Sequence, residues 1–235
     1  MKTCILLTAC ISPNGMAQTA LQDMTQRQTQ YFKAIRFYLQ KTGLPVVFVE
    51  NSGHDISCFF PKEIAEHRLE VLTFDGNNYD KTLGKGYGEA LIIDYAINHS
   101  NFIAHCNSVI KITGRLLVKN INYIINDSKL FNKAEVIASY ACPGFLDSRV
   151  FIATIPFFIA RFLPNVSKLN DSKGFYFEHL LEECTKQCIW RPFLFELPCI
   201  SGISGTNGTQ ILSNSCWTLD YWRKMKYNWK CWLNK

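Results

Sequence analysis

The strongest constraint in this sequence is a recurring pattern: a short, wholly apolar run that empties into polar, turn-forming residues. Residues 4–9 form the first run, ended by Pro13-Asn14-Gly15. Residues 45–50 end in Asn51-Ser52-Gly53, residues 69–74 in Asp75-Gly76-Asn77-Asn78, and residues 109–113 in Gly114-Arg115. Short apolar runs bounded by turn residues predict buried strands. Between them lie stretches with helical spacing: residues 17–42, with Leu21, Met24, Tyr31, Ile35, Phe37, Tyr38 and Leu39, and residues 86–100, with Ala90, Leu91, Ile93, Tyr95, Ala96 and Ile97. Gly43 and Pro45 stop the first helix. The order strand, helix, strand, strand, helix, strand predicts a doubly wound α/β sheet.

Composition supports a folded chain. Of 235 residues, 48% are hydrophobic and 14% aromatic, which supplies a large core and excludes disordered and fibrous classes. Charged residues make up 19%, and no apolar run approaches the ~20 residues needed to span a bilayer, which excludes a polytopic membrane protein. Past residue 116 the pattern loosens: a helix near 120–131, strands near 135–140 and 149–155, a helix after Pro156, another over 175–188, a Gly/Ser/Thr-rich loop over 201–209, and a basic aromatic helix over 217–232. With no Pro- or Ser-rich linker and no internal repeat, the expected organisation is one domain over 1–235. It comprises a Rossmann-like nucleotide-binding half (1–118), a smaller acceptor-side half (119–216) and a C-terminal helix (217–235).

The ten cysteines are spread along the chain, with Cys4, Cys58, Cys106 and Cys142 inside hydrophobic stretches, and read as reduced core thiols of a cytoplasmic protein. Cys184 and Cys188, with His179 nearby, are too few for a zinc site. Leu7-Thr8-Ala9-Cys10 mimics a lipoprotein signal, but the apolar run after Lys2 is short for one and a single lysine precedes it, so a first strand is the better reading.

In an open α/β sheet, ligands bind beyond the carboxyl ends of the strands. Thr8, Ala9, Glu50, Asn51, Ser52, Asp75, Gly114 and Arg115 are therefore candidates for binding a donor, against the alternative of ordinary strand-end turns. Lys85-Gly86-Tyr87-Gly88-Glu89 sits directly before a helix, where free N–H groups attract anions. Its spacing is neither that of a P-loop nor that of a dinucleotide fingerprint. A phosphate or sugar pocket and a plain turn with charge compensation at the helix end both remain open.

The long helix after strand one, Asn51-Ser52-Gly53 after strand two, Lys85-Gly86-Tyr87-Gly88-Glu89 before an apolar helix, and Lys111-Ile112-Thr113-Gly114-Arg115 together resemble the nucleotide-sugar glycosyltransferases of the GT-A fold. The similarity is greater to the small bacterial enzymes that build capsule and O-antigen (lipopolysaccharide) chains, and it covers most of residues 4–180. It implies a GT-A-like domain that transfers a sugar from a nucleotide-diphosphate donor to a surface glycan or lipid-linked acceptor, with no cofactor beyond the donor. Lys85, Gly88, Glu89 and Lys111 join the donor-binding candidates. Most members of that fold hold a metal through Asp-x-Asp, whereas this chain has Thr113-Gly114-Arg115 at the corresponding place. Arg115, with Lys85 or Lys111, is the expected substitute for the metal on the diphosphate; were a metal used, Asp75 or Asp147 would be its ligand candidates.

By the same resemblance, Glu178 in Gly174-Phe175-Tyr176-Phe177-Glu178-His179 corresponds to the general base of an inverting transfer, at the start of an acceptor-side helix. Its aromatic surroundings would raise a carboxyl pKa toward a useful range, although a solvent-facing helix start fits the residues too. Asp147 is the second choice for base, and Arg149 and His179 are acceptor contacts. The 201–208 stretch reads either as a lid over the donor phosphates or as a plain loop.

Trp217 to Lys235 interleaves tryptophans and tyrosines with lysines and arginine, which suits packing on the domain or an anionic membrane surface, while no motif supports nucleic acid. The expected place of action is the cytoplasm, peripheral on the inner face of the cytoplasmic membrane where the tail engages it. Two rival readings remain: a nucleotidyltransferase acting on sugar phosphates, whose early basic loop Ile11-Ser12-Pro13-Asn14-Gly15 lacks, and a non-catalytic surface lipoprotein or binding module.

Overall fold

A computed structural model describes residues 2–16, 19–130, 133–212 and 218–234. The strands are β1 (Thr3–Ala9), β2 (Val46–Glu50), β3 (Leu69–Thr73), β4 (Ser108–Thr113), β5 (Leu117–Val118), β6 (Val136–Ile137), β7 (Tyr140–Cys142), β8 (Phe145–Leu146), β9 (Val150–Thr154), β10 (Trp190–Arg191), β11 (Ile200–Ile203) and β12 (Gln210–Leu212). The α-helices are α1 (Met24–Lys41), α2 (Pro61–Ala65), α3 (Lys85–His99), α4 (Asn101–Ala104), α5 (Ile121–Ser128), α6 (Ile155–Phe157), α7 (Phe177–Thr185) and α8 (Leu219–Leu233).

Seven strands form the central sheet in the order β10-β6-β9-β4-β1-β2-β3. β1 pairs in parallel with β2 and β4, and β2 with β3, while β9 runs antiparallel to β4. The fold is thus the expected doubly wound α/β type with a mostly parallel sheet. The chain steps outward from β1 to β3 and then crosses back to β4 on the other side of β1, so the topological switch point lies between β1 and β4.

The apolar runs are explained by burial on both faces. Cys4 and Leu6 of β1 join a core with α3 and α7, whereas Ile5 and Leu7 point the other way into a core with α1. Helix α1 offers that second core Tyr31, Ala34, Ile35 and Tyr38. Its N-cap is Asp23, whose carboxylate accepts from Gln26 N at 2.7 Å. The helix therefore begins at Met24 rather than at residue 17, where the sequence places it; residues 17 and 18 themselves lie outside the described residues.

Several expectations need correction. Of the expected 201–209 loop, residues 204–209 are loop, but residues 201–203 belong to β11, which pairs antiparallel with β12 and with β5, so the loop is the tip of a hairpin that extends β5. Cys58 and Cys142 are exposed and Cys106 is half-buried, which leaves Cys4 and Cys184 as the buried thiols among the described residues. The segment that mimics a lipoprotein signal is the interior strand β1. No helix among the described residues is long and apolar enough to cross a membrane.

Candidate active site

A cavity of about 540 Å³ opens at the carboxyl ends of β1 and β4. Thr8 and Thr113 are register partners across these strands. Both hydroxyls donate to Oε1 of Glu89, at 2.8 Å and 3.3 Å, so the first turns of α3 are tied to the sheet at the switch point. The same oxygen lies 2.5 Å from Lys111 Nζ. Lys111 also donates to the Ser148 carbonyl at 2.6 Å, and its ammonium lies 5.7 Å and 5.5 Å from the ring centres of Phe151 and Phe177.

Ser148 in turn donates its hydroxyl to Glu178 Oε1 at 2.5 Å. A continuous polar chain therefore runs Glu89–Lys111–Ser148–Glu178 beneath the cavity, and both carboxylates line it. Lys111 itself is fully buried behind the wall with its charge matched by Glu89, so it does not serve as the expected contact for a diphosphate.

The N-terminus of α3 is closed by the protein. Gly84, at φ +86°, leaves room for the Asp171 carboxyl, which a Cβ there would overlap. Burial pushes the Asp171 carboxyl above its ordinary pKa, with the Glu178 charge adding to the rise and the Lys85 charge and the Lys85 and Gly86 N–H groups opposing it. The Asp171 carboxyl thus lies beside the first turn of α3, while Lys85, Gly86 and Gly88 of the same turn also line the cavity, so the segment serves both a helix end and the cavity wall. Gly88 is buried against Tyr79. Lys85 lies at the cavity edge and donates to Thr206 Oγ1 of the hairpin.

Arg115 follows β4 and lines the cavity while only 7% exposed. Its Nη1 donates to Gln30 Oε1 at 3.0 Å and to Ile203 O at 3.4 Å, and burial lowers its pKa from the ordinary arginine value. A second buried guanidinium, Arg27, was missed in the sequence reading. It donates to Cys10 O at 2.7 Å, Leu21 O at 3.1 Å and Tyr31 Oη at 3.3 Å, and so fixes the loop after β1 at the cavity wall. Its signal was available: it stands one turn before Tyr31 on the otherwise apolar face of α1.

The remaining candidates divide clearly. Ala9, Asn51 and Arg149 line the cavity. Arg149 makes a bidentate pair with Asp147 at 2.8 Å and 2.6 Å, which raises the arginine's pKa and commits Asp147. His179 accepts the Tyr176 N–H on Nδ1 at 3.1 Å as part of the α7 cap and stacks on Tyr176 and Phe175, so it orders the helix that presents Glu178 rather than reaching the cavity.

Glu50 is fully buried and accepts the N–H groups of Ile11, Ser52 and His54 at 2.8–2.9 Å, and Ser52 bonds it as well; the pair shapes loops. Asp75 is exposed and outside the cavity. Gly114 donates to Thr8 O at 2.9 Å, and a Cβ on it would lie 2.6 Å from that oxygen, which makes its role one of close packing.

Among the described residues no three carboxylate, thiol or imidazole groups come together. Glu89 is occupied by Lys111 and two threonines, and Asp147 by Arg149.

The class that fold and cavity define is an α/β protein with a cavity at the switch point of a doubly wound sheet. No family model and no curated protein sequence matches the chain. Among solved structures it is similar to a protein described as a nucleotide-diphospho-sugar transferase from Desulfovibrio desulfuricans G20, at 9% identity and a TM-score of 0.49, covering 81% of this chain and 79% of that one. It is similar to the inositol-1-phosphate CTP transferase of T. maritima, at 13% identity and a TM-score of 0.45, covering 95% of each chain. Mouse xyloside xylosyltransferase 1 shows 11% identity and a TM-score of 0.44, covering 81% and 84%.

Proposed function

We propose that this chain is a transferase that binds a nucleotide-diphosphate sugar in the β1/β4 cavity and passes the sugar, with inversion, to a glycan or lipid-linked glycan acceptor. One observation carries the reading: a single cavity at the switch point is lined both by buried Arg115 with Lys85 at its edge and by the Glu178 carboxylate. The cationic groups suit a diphosphate, and the carboxylate suits an acceptor hydroxyl.

In the reaction the acceptor oxygen attacks the anomeric carbon, its proton passes to Glu178, and the bond from that carbon to the diphosphate oxygen breaks. The electron pair leaves with the nucleoside diphosphate, and Arg115 and Lys85 offset the developing charge without a metal. Ser148 orients Glu178 through its hydroxyl, and Lys111 fixes Ser148 through its carbonyl. Capsule, O-antigen and lipopolysaccharide chains are the acceptor classes that the sequence resemblance adds to this reading.

A thermal-shift screen against UDP, GDP, CMP and dTDP sugars, with and without divalent metal, tests donor binding; stabilisation by none of them overturns the proposal. Glu178→Gln should lose turnover by roughly two to four orders of magnitude with donor affinity unchanged. Near-normal turnover would remove Glu178 from the mechanism.

A second reading, nucleotidyl transfer to a sugar phosphate, draws on Arg27, which brings a guanidinium to the loop after β1 that the sequence of the loop lacks. Product analysis separates the two, since that reaction releases pyrophosphate and glycosyl transfer releases a nucleoside diphosphate.

A further inference from the structure

Helix α8 has two apolar faces, and only one is used by the fold. Tyr221, Met225 and Asn228 are buried; Tyr221 Oη accepts from Leu197 N at 3.0 Å, and Asn228 accepts from Tyr140 N at 2.6 Å, while Tyr227 and Trp232 pack on the main core. These contacts fix the helix's rotation. At 100° per residue they leave Leu219, Trp222, Lys226, Trp229 and Leu233 in line along the opposite side, at alternating spacings of three and four.

The four apolar members of that line are exposed: Leu219 77%, Trp222 59%, Trp229 41% and Leu233 72%. Arg223 and Lys230, both exposed, flank it on one side. The acidic residue of the helix, Asp220, lies off the stripe, where it pairs with Lys224 at 3.3 Å. The outward face is therefore apolar and purely cationic. Monomeric proteins rarely leave tryptophans exposed in a contiguous patch without a partner for them.

We propose that the outer face of α8 docks flat on an anionic lipid surface, with Leu219, Trp222, Trp229 and Leu233 entering the headgroup region and Arg223, Lys226 and Lys230 held against the lipid phosphates. Charge decides the occupant. A second copy of α8 would set these three cations against the same three, whereas an anionic bilayer satisfies both the tryptophans and the cations. The sheet side of α8 stays on the domain, so docking requires no unfolding. This inference is independent of the transferase reading, because it uses none of the cavity residues.

The test is co-sedimentation of the full chain with phosphatidylcholine vesicles, with and without phosphatidylglycerol, read together with tryptophan emission. Binding should be at least about tenfold tighter to the anionic vesicles, fall with salt, and come with a blue shift. Arg223→Gln/Lys226→Gln/Lys230→Gln should remove the preference for anionic lipid, and Trp222→Ser/Trp229→Ser should remove binding and blue shift; all five side chains are exposed, and far-UV circular dichroism confirms that the variants fold. Three results would each overturn the proposal: equal binding to both vesicle types, binding that survives the tryptophan changes, or concentration-dependent self-association in sedimentation velocity that those changes abolish, which would assign the face to a second copy.

Discussion

Lys111 Nζ lies 2.5 Å from Glu89 Oε1 in a place where the lysine has no contact with solvent, and this pair ties the centre of the sheet to the first turns of α3. Removing Glu89 leaves the buried Lys111 charge uncompensated, which costs about 3 kcal/mol or more, whereas removing Lys111 leaves Glu89, whose side chain is 21% exposed at the cavity and still accepts from Thr8 and Thr113, and costs less; replacing both with neutral groups of similar size is far less harmful. Glu89→Gln should lower urea-unfolding stability by that order and Lys111→Met by less, and the double variant should recover most of the larger loss. Additive losses would show that the two side chains do not depend on each other.

The sheet was legible because its strands are apolar on both faces, as Ile5 and Leu7 on one side and Cys4 and Leu6 on the other show. The same property hid the role of Lys111: in a strand buried on both sides, alternation does not say whether a lysine meets solvent or a partner. Its partners, Glu89 on α3 and Ser148 before β9, are remote in sequence. Asp171 closing α3 was equally invisible, since it arrives from a short turn far along the chain. The 200–212 hairpin read as a loop because Gly, Ser and Thr dominate it, and its pairing with β5 is set by tertiary contact rather than by local propensity. Glu178 was visible as a lone carboxylate in an aromatic run, but the bond from Ser148 that orients it was not.

Among the described residues, Cys106 should be the thiol with the most acid-shifted reactivity. A hydrogen bond from Cys4, then the charges of Lys2 and His105, lower its pKa to about 7, while burial opposes the shift. The thiolate is the nucleophile, so alkylation by iodoacetamide should rise through a midpoint near pH 7, whereas Cys10, pushed up to about 11 chiefly by burial, should stay inert at neutral pH. Peptide mapping by mass spectrometry at several pH values reads both. Equal rates at the two sites at pH 7 would contradict the prediction.

Gly114 separates packing from binding at the end of β4. A methyl group there meets backbone, Thr8 O at 2.6 Å, and the Tyr31 ring at 3.2 Å, so the strands must part. Gly114→Ala should cost about 1–3 kcal/mol of stability, by the usual scale for overpacking, and lower the melting temperature measured by calorimetry. A variant as stable as the parent would mean that β1 and β4 have slack at the switch point.

Arg115 is the side chain on which the donor reading depends most. Its guanidinium is buried at the cavity wall and bonded through Nη1 to Gln30 and Ile203, an arrangement that fixes its plane before any ligand arrives. A hydrogen bond to a charged group contributes about 1.5–3 kcal/mol, which corresponds to roughly 10- to 100-fold in affinity. Arg115→Ala should therefore weaken nucleoside diphosphate binding by that factor in titration calorimetry. Arg115→Lys should restore little of it, because an ammonium keeps the charge and loses the fork that can hold two phosphate oxygens while staying bonded to Gln30. Full rescue by lysine would mean that the cavity needs only positive charge there. Unchanged affinity in both variants would move the diphosphate away from β4 altogether.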